Sequence, residues 1–118
     1  MKYLLLVYFD EQDLSETEWT EFMSECRSLI KDLKSRKNYL GANPLHPTST
    51  ATSVRMRNKE RLVTDGPFAE TREQLGGYFL IDARDLDEAI SIAALVPMAR
   101  KGMVEIRPVF DIPGRPED

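Results

Sequence analysis

The sequence contains a single cysteine and a single histidine. A lone Cys26 cannot close an intrachain disulfide, and one Cys with one His cannot supply the four ligands of an ordinary structural zinc site. Dense acidic motifs of the calcium-binding kind are also missing, so no intrinsic metal is expected. The longest apolar run, Leu4 to Phe9, ends at Asp10-Glu11 and is far too short for a membrane span or a secretory-signal core. A cytoplasmic location without membrane association is the expectation. Glycine is sparse, and Gly76-Gly77 lacks the extended spacing of a phosphate-binding loop, which argues against a nucleotide cofactor. Positive charge is in deficit, and a net charge of -4 opposes general attraction to nucleic acid. The chain has neither internal repeats nor low-complexity tracts.

What is present is a globular composition. With 118 residues, 42% hydrophobic and 31% charged, the chain suits one hydrophobic core rather than two. A single domain is expected over residues 1–112, followed by a polar tail at residues 113–118.

Residues 2–9 are rich in β-formers and apolar at both parities, the pattern of a central strand covered on both faces. Ser15 and Glu18 have capping-box spacing, and Leu14 is placed to staple onto Trp19. From there Trp19, Phe22, Met23, Cys26, Leu29, Ile30 and Leu33 form one helical stripe, with a stop at Asn38. Residues 39–42 predict a short strand before Pro44 and Pro47 impose loop or edge geometry. Residues 52–57 and 61–64 predict a hairpin around Asn58-Lys59-Glu60, and residues 77–81 a further strand. Asp85 and Glu88 repeat the capping spacing ahead of a second helix ending before Pro97, and residues 103–110 predict the last strand.

This order fits an α+β split βαβ sandwich with an antiparallel sheet and an inserted hairpin. Two helices cover only one sheet face, yet the strands at residues 2–9 and 77–81 carry apolar side chains for both. A homodimer packed sheet to sheet is therefore expected, compatible with a small-molecule cleft on the same surface.

The run Thr64-Asp65-Gly66-Pro67-Phe68-Ala69-Glu70-Thr71-Arg72-Glu73-Gln74-Leu75-Gly76-Gly77-Tyr78-Phe79-Leu80-Ile81 closely resembles the signature of the DGPF branch of YCII-related proteins. Thr52-Ser53-Val54-Arg55, Leu86-Asp87-Glu88-Ala89 and Val104-Glu105-Ile106-Arg107-Pro108-Val109 are similar to that branch as well. The resemblance implies a ferredoxin-like fold that pairs into a dimeric α+β barrel, and a link of some relatives to extracytoplasmic-function sigma factors. The activity suspected in the wider family rests on a His and Asp pair with the His on the first helix. Here that helix has no His, so the resemblance carries over only Asp65.

Asp65 has two readings: a carboxylate holding an Asx-type turn, or a general base or polar anchor at a cleft mouth. Gly66 and Pro67 shape the backbone, and Phe68 is expected in the core or a dimer contact. Glu70 is a candidate second carboxylate within a charged run that otherwise reads as solvated surface. Arg55 and Arg107 are candidates for binding an anion, with Glu105 handling a proton, against a reading as cross-strand ion pairs. His46, between Pro44 and Pro47, could take the place of the missing helix His.

Three functions compete. The first is a cofactor-independent binder or enzyme of lyase or isomerase type, acting on a small anionic metabolite by proton transfer around Asp65. The second is a non-catalytic regulatory module that binds a protein such as a sigma factor through its exposed helix or basic hairpin. The third is storage or sensing of a ligand without chemistry.

Overall fold

In a computed structural model, which describes residues 1–116, the elements run β1 (Lys2–Phe9), α1 (Glu16–Ser35), β2 (Tyr39–Pro44), β3 (Thr52–Arg57), β4 (Glu60–Asp65), β5 (Gln74–Asp82), α2 (Leu86–Ala93) and β6 (Met103–Pro108). Four strands form one antiparallel sheet in the order β2-β5-β1-β6. That order, with two crossing helices, is the ferredoxin-like α+β arrangement expected from the sequence. The hairpin β3-β4 forms a separate two-stranded sheet.

Alternation along β1 sorts the two sheet faces. Tyr3, Leu5, Val7 and Phe9 are buried, while Leu4, Leu6 and Tyr8 are half-buried. Leu5 stands opposite Phe79 on β5 and Ile106 on β6, so one face presents a continuous apolar layer. Phe22, Leu29 and Leu33 of α1 and Ala89, Ile92 and Ala93 of α2 close onto it. Each large side chain so buried contributes about 1.5–3 kcal/mol relative to exposure. The other face carries rows of Leu4, Leu80 and Arg107, then Leu6, Tyr78 and Glu105, then Tyr8, Leu75 and Met103.

The helix ends follow their sequence signals, with two shifts. Ser15 and Glu18 form the expected capping box, and Leu14 and Trp19 both pack against the core. At the other end Lys37, not Asn38, takes the left-handed conformation (φ 64°), and the amides of Lys37 and Asn38 donate to the carbonyls of Lys34 and Leu33. Asn38 is buried instead, donating from Nδ2 to the Asp82 carbonyl at 2.8 Å and tying the start of β2 to the end of β5. On α2, Asp85 caps Glu88, but the Glu88 carboxylate reaches back to the Arg84 amide, one residue beyond a capping box. This helix ends at Ala93, earlier than expected, and Pro97 opens a 3-10 turn, Pro97–Arg100.

The hairpin turn is tighter than the sequence suggested. Asn58 and Lys59 both have positive φ, 49° and 66°, the requirement of a two-residue type I′ turn, so Glu60 joins the ladder opposite Arg57. Pro44 is accommodated because β2 is an edge strand. Gly76 permits a close approach to β1, since a Cβ would lie 2.1 Å from the Phe9 ring. The last strand stops at Pro108, and the expected tail at residues 113–118 falls partly outside the described residues. No helix among the described residues is long and apolar enough to cross a membrane.

Candidate functional site

Asp65 ends β4 opposite Thr52, exposed to solvent, and its carboxylate takes no hydrogen bond from the described residues. The turn beyond it is held by backbone instead: the Gly66 amide donates to the Ala51 carbonyl at 2.7 Å, and Ser53 Oγ donates to the Gly66 carbonyl at 2.8 Å. The Asx-turn reading of Asp65 is therefore not what shapes this corner. Gly66 has φ 104° and open space where a Cβ would stand, so conformation rather than crowding requires glycine. Phe68 does not enter the core of its own chain, being 84% exposed, and the Arg55 guanidinium stands 5.9 Å from its ring centre.

Beside this turn runs a groove of about 620 Å³, within the size range of small-molecule sites. One wall is the loop carrying Leu45, His46, Pro47, Thr48 and Thr50, and the other is Pro67, Phe68, Ala69 and Thr71. Tyr8, Gln74 and Leu75 also line it. Two side chains hold the walls in place. Glu11 accepts from the Thr48 amide at 2.9 Å and from Thr48 Oγ at 2.5 Å. Gln74 accepts from the Glu11 amide at 2.9 Å through Oε1, and its Nε2 donates to the Thr71 carbonyl. Gln74 thus ties the Thr71 loop to the start of β5 directly and the His46 loop through Glu11.

Tyr8 and Thr71 also border a second trough, lined further by Asp10, Asp13, Arg72, Glu73, Lys101, Met103 and Glu105. Lys101 bonds both oxygens of the Glu18 carboxylate, at 3.0 and 2.9 Å, and the Asp13 carbonyl. Its hydrogen bond to Glu18 raises the ammonium pKa, and the same bond is the first cause that lowers the Glu18 carboxyl. With Lys101 so engaged, the acids of the trough outnumber its remaining cation, Arg72.

The six residues singled out from the sequence are distributed over this region. His46 lines the groove; Asp65 does not, ending β4 two positions before Pro67, the first residue of the opposite wall. Glu105 lines the trough, with Arg107 3.5 Å from it on the uncovered sheet face. Arg55 projects from the hairpin beside Phe68, on a different sheet from Arg107. Glu70 is exposed in the loop after Phe68. Sequence reasoning missed Tyr8, Glu11 and Gln74. For Tyr8 a signal existed: strand parity placed it on the uncovered face at the end of β1.

Cys26 is half-buried beside an apolar cavity of about 50 Å³ that Trp19, Met23 and Phe79 also line. Burial, and secondarily the Glu25 charge, push its thiol pKa up, which disfavours the nucleophilic thiolate. Among the described residues no three His, Cys, Asp or Glu side chains cluster as metal ligands would.

Residues 1–113 match the YCII-related domain. An uncharacterized protein of Rhizobium meliloti (strain 1021) is 37% identical over 118 residues, spanning 92% of this chain and 92% of the relative.

Proposed function

Because the chain belongs to the YCII-related family, we propose that it binds a small anionic metabolite in the groove between the His46 loop and the turn after Asp65. The observation that carries this reading is the groove itself, with its two walls fixed through Gln74 and Glu11. His46 and Tyr8 offer donors along its length, whereas the Thr50 and Thr71 hydroxyls already donate to the Pro47 and Glu73 carbonyls, and Arg55 beside Phe68 and Arg72 beside Thr71 place positive charge at its margins. Binding comes first in this reading. Proton transfer of the lyase or isomerase type requires Asp65 or His46 to be shielded from water once ligand is bound, since a fully solvated carboxylate is a poor base.

The protein works as a homodimer packed through the sheet face that its helices leave bare, in the manner of a dimeric α+β barrel and of the DGPF branch. The rows around Leu4, Leu6, Tyr78 and Leu80 support this, because a half-apolar sheet face gains from cover. A regulatory role through a protein partner, including a sigma factor, is favoured by one observation, the solvent-exposed basic hairpin.

Thermal denaturation against a panel of small carboxylates and phosphates tests the binding reading. A member of the panel should raise Tm in proportion to the logarithm of its concentration, and Gln74→Ala and His46→Ala should abolish that response. Equal shifts in the parent and both variants would remove the groove from consideration.

A further inference from the structure

The hairpin β3-β4 contributes nothing to the core of its own chain. All of β4 is exposed, as is β3 apart from the half-buried Ser53. Its cross-strand register nevertheless assembles an apolar face: Val54 opposite Val63, and Met56 opposite Arg61, at 63%, 57% and 62% exposure for the three apolar side chains. Isolated two-stranded hairpins are marginal in water, so a hairpin with this face gains most from being covered.

The size of the missing cover is readable from the dimensions. The chain exposes 8842 Å², whereas a folded monomer of its mass exposes about 6,500 Å². Its radius of gyration is 16.2 Å against about 13.5 Å for a compact domain of this length. The excess of about 2,300 Å² per chain is the scale of an obligate homodimer interface.

Charge selects the occupant. The hairpin carries Arg55, Arg57, Lys59 and Arg61 against Glu60 and Asp65, a positive segment in a chain whose net charge is -4. The trough beside Tyr8 is lined by four acids, Asp10, Asp13, Glu73 and Glu105, and two cations, Arg72 and Lys101; Lys101 is held by Glu18 and Asp13, and Arg107 stands 3.5 Å from Glu105 at its edge. One chain therefore holds both halves of a complementary pair: a basic hairpin with an apolar face, and an apolar sheet face that ends in an acidic trough. A two-fold arrangement satisfies both halves twice.

We propose that the hairpin is an arm exchanged between two copies. Its Val54, Met56 and Val63 face lies over the uncovered sheet face of the second copy, and its basic tip completes the acidic trough there. Each trough is then built from two chains, with trough acids from one and arginines from the other. This rests on the homodimer proposed above and adds to it the element that reaches across.

Sedimentation velocity of the whole chain and of the Val54→Asp/Val63→Asp variant separates the two ideas. The parent should be dimeric, and the variant should dissociate at least about 100-fold more readily, the effect of placing two charges in an apolar contact. Both positions are solvent-exposed in a single chain and touch none of its core, so the helical circular dichroism of the body should stay unchanged even where the opposed Asp pair loosens the hairpin. A variant that dimerises as tightly as the parent overturns the arm and leaves the sheet-face dimer standing. A monomeric parent overturns both, and assigns the hairpin to another macromolecule. Carbodiimide crosslinking of mixed light and heavy-isotope protein supplies the second readout, with Lys101 to Glu18 as the intrachain control at 2.9 Å. Lys59 should couple to Glu73 or Glu105 in peptides pairing one light with one heavy chain. If the control forms and Lys59 couples only within one chain or not at all, the arm is excluded.

Discussion

The helix-backed sheet and the hairpin are built from the same antiparallel pairing, yet they are held by different forces. In the body, Leu5, Leu33 and Ile81 have no accessible surface, and the ladder of β1 with its neighbours is sealed between strands and helices. In the hairpin, the type I′ turn and six cross-strand pairs fix the register, while almost every side chain meets water. Local chemistry is enough to define a β-hairpin's shape, but burial is what makes it stable. The groove lies where these two regimes meet, with one wall on the loop after β2 and the other on the corner that leaves the hairpin.

The contrast is open to direct attack by substitution. Leu5→Ala should cost about 2–5 kcal/mol in chemical denaturation, because the cavity forms at the centre of the sheet. Val54→Ala, measured in dilute single chains, should stay within about 0.5 kcal/mol. Comparable losses at the two sites would erase the distinction between core and arm. At the junction, Gly66→Ala forces a side chain into φ 104° and should cost about 1–3 kcal/mol, with the groove's ligand response lost alongside. Ser15→Ala removes one half of the capping box on α1 and should lower stability by about 1 kcal/mol.

The smallest expected effect is a pH dependence. The Glu18 pKa is depressed from its ordinary 4.5, so its contribution is present above that value and is lost as pH falls through the folded value. The Lys101 pKa is raised from 10.5, so its contribution is present below that value and is lost as pH rises through the folded one. Urea midpoints of the parent should therefore fall outside this window slightly more steeply than those of Lys101→Met. Parallel curves would assign the pair no role in holding the turn at Asp13 to the body.

The fold was largely legible in the sequence because its signals are local and periodic. Parity along residues 2–9, the Ser15 and Glu18 spacing, and the α1 stripe each dictate their structure without reference to distant residues. Turn details were less legible. Lys37 and Lys59 adopt positive φ although neither is glycine or asparagine, because the C-terminal cap of α1 and the two-residue type I′ turn each require that conformation at those positions. The candidate site was legible only in part. His46 and the Asp65 turn could be singled out by residue type, but Gln74 and Glu11 act through contacts spanning 63 and 37 positions. No spacing rule in one sequence reveals such contacts. Phe68 shows the same limit in reverse, a large aromatic whose exposure depends on what covers it.

Backbone amide exchange, followed across a dilution series that spans dimer dissociation, tests the central claim most directly. The account predicts that β1 and β5 amides keep their protection throughout, whereas β3 and β4 amides lose theirs as the copies separate. Hairpin amides whose protection is the same above and below dissociation would contradict it.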